Sequence, residues 1–456
     1  MKPQFNQPLS LLAALLLVQL LFFLSSQIQT PAPLSDAEDY LNASRNLYSQ
    51  GVLYCGDLSE PIVVEQFTRR PPLYPLFIGL GLLTGSNIPV FLLQILISIL
   101  SIILVYRIFL QSNNRFSMAG LILILGTPSL FIYSNRIMAE IPFQLLLVLM
   151  AWSVFKYFHM RKDQHEPTGS NRYTRKKDYA DRYIWFFNLF LTLGMATKPV
   201  LFPFAFFTII LSLLLFLKTR RPTFMIAIIL PILWISMYGI WNYNRTGSVQ
   251  YSSIQTANMV NYNMRYFIMG QEGGEAAGAK VDQLYTNCGS KSSYREKKRC
   301  LEEGVREIIM DKPVQYGLFH LKGTARYFLD PGRFDLVTFF NIRKANSPGF
   351  LSALNEDGVT GAMKLLKEQG WGLVLLLGLI ALFKLVKITG FLIYLFRGQE
   401  QVQLRIFLVL LVGYLALVTG PLGASRFLIP VELLIIGGAV KGWAPILRLG
   451  PKTVVD

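Results

Sequence analysis

Long apolar runs recur along the chain, and each must be either a membrane-crossing helix or a deeply buried one. "LLAALLLVQLLFFL" (11–24) and "VFLLQILISILSIILVY" (90–106) are typical. About 20 apolar helical residues cross the hydrocarbon core of a bilayer, where every backbone polar group has to find its partner within the segment. The runs predict about ten spans, at 9–29, 87–110, 116–134, 141–158, 183–197, 199–217, 223–241, 371–396, 406–421 and 426–440. A shorter stretch, "PPLYPLFIGLGLL" (71–83), reads as a juxtamembrane or re-entrant helix opened by Pro71 and Pro72. Only 16% of residues are charged, against about a quarter in soluble domains. The expected fold class is therefore an all-α polytopic membrane protein. "MKPQFNQPLSLLAALLLVQLLFFLSSQ" is expected to be an uncleaved first span, because no small-x-small cleavage site follows it.

A net charge of +17 at first suggests nucleic acid. Its distribution argues otherwise. The loop 159–182 carries seven Lys/Arg and "KTRR" (218–221) three, and alternating spans place both on one side with Arg397, Arg405 and Lys441. That is the pattern of the positive-inside rule and of anionic lipid surfaces. Cytoplasmic loops are thus assigned, and the opposite face receives two substantial segments, 30–86 and 242–370. Three regions follow: 1–241 with the first outer loop, 242–370 as an outer loop region, and 371–456 with the last spans and a cytoplasmic tail. Within the second, "SSYREKKRCLEEGVREIIM" reads as an amphipathic helix and "VQYGLFHLKGTARYFL" as another lying along the membrane surface.

All three cysteines, Cys55, Cys288 and Cys300, fall in the outer loops. An oxidising outer compartment makes Cys288–Cys300 the candidate bridge, with Cys55 free or the alternative partner. Three histidines in the whole chain argue against a zinc site.

Charge next to the membrane marks candidate chemistry. "LSDAEDYLNAS" follows the first span with Asp36, Glu38 and Asp39. Ser35 and Glu38 fit an S-x-x-E capping box, and Asp39 adds favourable charge to the first turn; Asp36 is not needed for either. "EQFTRRPPLYPLF" puts Arg69 and Arg70 at headgroup depth, as a snorkelling pair or a clamp on phosphate oxygens. In "SNRIMAEIPF", Glu140 opens a span and either pairs with Arg136 or serves the outer cavity. Lys198 in "LGMATKPVLF" and Arg426 in "GPLGASRFLIPVELL" complete a basic outer rim facing the acids Glu140 and Glu432.

Taken in order, the acid-led loop, the basic-Pro-Pro segment, the acid at Glu140, the "ATKP" turn, "WNYNRTG" and "ASRFLIP" resemble integral-membrane glycosyltransferases of the GT-C class. They are most similar to bacterial relatives of protein O-mannosyltransferases and of the lipid A aminoarabinose transferase. The resemblance runs from about residue 9 to 440 and implies a GT-C-like bundle with juxtamembrane helices and two large outer loops. It implies Asp36 as catalytic acid, although Ala37 breaks the family's Asp-Glu pair and leaves Glu38 and Asp39 as accessory candidates. Glu140 matches the second acid. Arg70, with Arg69, Lys198 and Arg426, would meet the donor's lipid phosphate. The family's Arg at the start of the large loop is replaced by Asn242, with Arg245 three residues on as a substitute, and Arg136 is accessory.

The implied reaction is inverting transfer of a sugar from a polyprenyl-phosphate donor to an acceptor hydroxyl at the outer face. A carboxylate base and preorganised cations suit that chemistry. The acceptor is a glycan, lipid or protein. No cofactor is required, with a divalent cation left open, and membrane lipids rather than nucleic acid are the surroundings. A bacterial inner (plasma) membrane is the expected location. The rival reading is a transporter or flippase of a lipid-linked sugar, which should place polar groups at mid-membrane and show internal repeats.

Overall fold

The computed structural model describes residues 7–29, 34–109, 114–162, 170–342, 360, 371–398 and 402–447. The described residues are helical, with no strand among them. Helix α1 (Gln7–Gln29) leads to α2 (Ser35–Gln50), α3 (Leu73–Thr84), α4 (Ile88–Phe109), α5 (Asn114–Leu125), α6 (Pro128–Ser134), α7 (Glu140–Lys162), α8 (Ser170–Thr197), α9 (Phe202–Thr219), α10 (Pro222–Ala227) and α11 (Ile229–Thr246). After these come α12 (Ile254–Asn258), α13 (Arg265–Glu272), α14 (Gly274–Gly289), α15 (Tyr294–Asp311), α16 (Pro313–Leu329) and α17 (Arg333–Phe339). The chain then continues with α18 (Trp371–Arg397), α19 (Val402–Val418) and α20 (Ile429–Trp443).

Six described segments are long and apolar enough to cross a membrane: Leu12–Gln29, Ile88–Phe109, Glu140–Arg161, Pro199–Thr219, Pro222–Thr246 and Trp371–Arg397. The protein is a multi-pass helical membrane protein. The expected span 116–134 is two helices instead. Thr127 breaks it, because Pro128 at the first position of α6 has no N–H to continue the ladder. The expected span 183–197 is the apolar half of the 28-residue α8. The 71–83 stretch is a helix of 12 residues with Pro72 as its cap.

Helix α7 sits centrally, packed on α4, α8, α19 and α20. The last helix is the most enclosed, with Ile429 through Val440 all buried. It owes that closeness to small residues. A Cβ on Gly442 would stand 1.9 Å from the Gly390 carbonyl oxygen, so α18 and α20 meet backbone to backbone. Two buried lysines of α18, Lys384 and Lys387, lie in this seam. Lys387 pairs with Glu432 of α20 and donates to Thr127 Oγ1 (2.8 Å) at the α5–α6 break. Glu432, an acid of the expected last span, is committed inside the bundle.

On the loop face α2 and α3 pack together, and Gly79 lets Tyr48 lie flat on α3. Helices α13, α14 and α15 enclose a separate small core of Val260, Met264, Ile268, Ala277, Val281, Leu301 and Val305. The Cys288–Cys300 disulfide closes it, and Cys55 is buried and unbridged. One capping expectation needs correcting. Leu34, in extended conformation, occupies the cap of α2 and Ser35 is already the first helical residue. A side-chain cap instead opens α15, where Ser293 Oγ accepts from the Glu296 N–H.

Two lysines and one carboxylate share the α18–α20 seam, so the single substitutions should differ. Glu432→Gln leaves two buried cations without a counter-charge and should cost about 3–5 kcal/mol. Lys387→Met leaves Glu432 facing Lys384 and should cost less. Thermal unfolding in detergent reads the order; equal losses would show that Lys384 plays no part.

Candidate active site

Helical periodicity sorts the acids of α2. Residues three apart share a face, so Asp36 and Asp39 project together while Glu38 turns away and is exposed. Both aspartates meet the arginine turn before α3. Arg70 gives Nη2 to Asp36 Oδ1 (2.7 Å) and to Asp39 Oδ2 (2.7 Å), and its Nε to Asp39 Oδ2 (3.0 Å). Arg69 Nε also reaches Asp39 Oδ2 (2.7 Å). Tyr40, one helical turn from Asp36, lies with its ring 4.9 Å from the Arg70 guanidinium.

That turn is strapped from the second loop. Ser252 Oγ donates to the Arg69 carbonyl (2.9 Å), the Ser253 N–H to the Thr68 carbonyl (3.3 Å), and Gln250 Nε2 to Thr68 Oγ1 (2.8 Å). Arg70 is 6% exposed, so its direction is set by packing as well as by charge. The far end of the chain supplies the third member, as Arg426 Nη2 lies 3.0 Å from Asp36 Oδ2.

Asp36 therefore sits between two guanidinium groups, one on each oxygen. Burial alone would raise its pKa, but Arg70, Arg426 and Lys198 override that and hold it well below the usual carboxylate range. Burial opposes the charge on Arg70 and Arg426 as well, and the facing carboxylates more than restore it. Under the cluster, burial pushes the Cys55 thiol up to about 12, so it carries no thiolate.

These residues open on a cavity of about 770 Å³, within the usual ~300–1,000 Å³ of small-molecule sites. Asp36, Arg69, Arg70, Lys198 and Arg426 form its charged floor. Val200, Pro203, Leu415, Val418 and Pro430 make an apolar side. A polar part of the lining comes from Asn258, Asn261, Tyr262, Asn263, Arg265 and Tyr266. That polar wall includes a π-helical stretch, Met259–Met264, between α12 and α13. Such stretches are rare and often mark functional sites. Its rear face packs on the disulfide-closed core through Val260 and Met264.

Other expected residues fall elsewhere. Glu140 pairs with Lys198 (2.8 Å) and not with Arg136. It is 1% exposed and does not line the cavity; Lys198 stands between the two. Arg136 precedes α7 and gives Nη2 to Thr338 Oγ1 (2.9 Å). Arg245 donates to the Leu53 carbonyl (3.0 Å) and to Asn242 Oδ1 (2.6 Å), bracing the first loop from outside the cavity. Sequence reading missed Tyr40, the Asn/Tyr wall, and the aspartates 330 and 335 that reach Ser425. Only Tyr40 had a local signal, its i+4 spacing from Asp36.

The sequence profile of the family described as dolichyl-phosphate-mannose-protein mannosyltransferase matches residues 69–165. That stretch includes Arg69, Arg70, Arg136 and Glu140, but not Asp36, Lys198 or Arg426. A comparison with curated proteins finds no match. Among solved structures, ArnT from Cupriavidus metallidurans bound to undecaprenyl phosphate is similar at 14% identity and TM-score 0.37, over 96% of this chain and 77% of that one. The apo form of the same protein is similar at 12% identity and TM-score 0.34, over 96% and 79%.

A carboxylate with a lowered pKa contributes stability above its unfolded value of about 4, and loses it as pH falls through the folded value. The melting-temperature gap between the protein and Asp36→Asn should therefore be constant above about pH 5 and close at lower pH. Thermal melts across pH 3–8 test this; a gap that widens on acidification would contradict the ion-pair geometry.

Proposed function

We propose that the protein is an inverting glycosyltransferase that moves a sugar from a polyprenyl-phosphate donor to an acceptor hydroxyl at the outer face of the membrane. The observation that carries this reading is Asp36, the one carboxylate among the described residues lining the cavity, held between Arg70 and Arg426. A lipid-linked sugar has the same three-part character. Its chain suits the apolar side, its phosphate the arginines, and its sugar the Asn/Tyr wall. The profile match over residues 69–165 names a family whose donor is a lipid phosphate sugar, and it covers the arginine turn.

In this reaction Asp36 takes the proton of the acceptor hydroxyl as that oxygen attacks the anomeric carbon. The bond from that carbon to the phosphate oxygen breaks, and its electron pair leaves on the phosphate. Arg70 and Arg426 stabilise the developing charge, with Arg69 and Lys198 beside them. As drawn, the step draws on no metal. A single displacement inverts the anomeric centre. Positioned base catalysis of this kind is worth about 10²–10⁴-fold.

A base with a depressed pKa is a weak base, and the donor resolves this. A phosphate arriving at Arg70 and Arg426 competes with Asp36 for the same N–H groups. Each hydrogen bond it takes raises the carboxylate's proton affinity. Donor binding thus switches the base on.

The transporter reading predicts polar groups open to a path at mid-membrane. Lys384, Lys387 and Glu432 are instead buried, and none of them lines the cavity.

Two binding and turnover measurements test the proposal with detergent-purified protein, undecaprenyl phosphate, and a panel of undecaprenyl-phosphate sugars and acceptors. Asp36→Asn should lose about 10²–10⁴-fold in transfer, yet bind undecaprenyl phosphate at least as tightly, because its competitor for the arginines is gone. Arg70→Ala should bind it at least roughly tenfold more weakly, the loss of one charged hydrogen-bonding partner. Full transfer by Asp36→Asn, or undiminished binding by Arg70→Ala, would remove the assigned roles.

A further inference from the structure

The segment "DPGRFD" (330–335) joins α16 to α17, and both of its aspartates converge on one residue, Ser425. Asp330 Oδ2 accepts from the Ser425 backbone N–H at 2.7 Å, and Asp335 Oδ2 accepts from Ser425 Oγ at 2.6 Å. Their remaining oxygens are also engaged. Asp330 Oδ1 accepts from the Gly332 N–H (3.1 Å), closing an Asx-type turn. Asp335 Oδ1 accepts from the Tyr133 phenol of α6 (2.7 Å). Gly332 has φ +76°, a conformation that favours glycine, and a Cβ there would lie 3.2 Å from Ser425 Oγ, a tight contact.

The residue after Ser425 is Arg426, whose guanidinium reaches Asp36 across the cavity floor. We infer that Asp335, together with Asp330, is a positioning residue that fixes the direction from which Arg426 enters the cavity.

Physical chemistry favours this over a plain loop fastening. Asp335 is 3% exposed, Tyr133 0% and Ser425 4%. Burying a carboxylate is costly unless hydrogen bonds satisfy it, and an apolar contact would fasten the loop without that cost. What two carboxylates add is direction. They grip the backbone N–H and the side chain of one residue, leaving that residue little freedom to rotate. Arginine otherwise loses up to about 2 kcal/mol of rotamer freedom when ordered. An anion clamp displaced by about 1 Å loses much of its effect. Arg136, which donates to Thr338 on the same helix as Asp335, steadies α17 from the side of α7.

The inference rests on the reading that Arg426 meets the donor phosphate, and a double-mutant cycle separates the two. Undecaprenyl phosphate is titrated into the purified full-length protein and into Arg426→Ala, Asp335→Asn and the double variant, with melting temperatures recorded in parallel. Each single variant should bind roughly tenfold more weakly, the value of one hydrogen bond to a charged group. The double variant should bind no worse than Arg426→Ala alone. Wild-type affinity in Asp335→Asn, or losses that simply add, would overturn the positioning role. Wild-type affinity in Arg426→Ala would overturn the phosphate reading itself. Should Asp335→Asn not fold, Ser425→Ala keeps both aspartates and removes only the hydroxyl link. It should give a loss of about threefold that vanishes in the Arg426→Ala background, and no loss from it would equally sink the inference.

Discussion

Arg70 is the group around which the membrane face is organised. A guanidinium at 6% exposure is tolerable only with its N–H groups satisfied and its charge met. Asp36 and Asp39 meet the charge and accept from its Nε and Nη2, from successive turns of α2. Those two contacts set the register of α2 against the arginine turn, and Tyr40 seals the pair from the side. The turn itself is held by Gln250, Ser252 and Ser253, which carry the chain into the polar wall of the cavity. One ion-paired arginine therefore joins the first loop, the second loop and, through Asp36 and Arg426, the final helix.

The membrane bundle below supplies rigidity where the site needs it. Arg426 precedes α20, the most enclosed helix, whose glycines press it against α18. The Lys387–Glu432 pair fastens the same two helices, while its link to Thr127 ties them to the α5–α6 break. Tyr133 of α6 then reaches Asp335, and Asp335 reaches Ser425. The broken helix thus connects the buried charge pair to the cavity floor. A straight span over 116–134 would offer neither Thr127 nor Tyr133 in these positions.

How much of this could be read from the sequence depended on the range of the interaction. Apolar runs are local, and they foretold most helices in place. The break at Thr127 has a local mark in "GTP", which run length alone does not register. Asp36 and Asp39 follow from helical spacing once α2 is assigned. Arg136 and Glu140 show the limit of such spacing. They are four apart, yet α7 begins at Glu140, so no helical face joins them and Lys198 takes the partner's place. Asp335 and Ser425 lie 90 residues apart and Lys387 and Glu432 lie 45 apart. No single sequence ranks such pairings above others. A lysine pair at i, i+3 inside an apolar run was nonetheless a signal, because an intramembrane charge needs a partner.

Ion pairing and the proposed chemistry pull Asp36 in opposite directions, and the geometry reconciles them. The ion pairs with Arg70 and Arg426 meet the charge of the carboxylate, which stabilises the fold and suppresses its basicity. In the proposed reaction the donor phosphate takes over those guanidinium groups, and the carboxylate is released at the moment a base is required. The positioning of Arg426 by Asp335 matters for the same reason. An arginine free to swing could follow the phosphate without releasing Asp36, or keep Asp36 without meeting the phosphate. Held in one direction, it has to exchange one anion for the other.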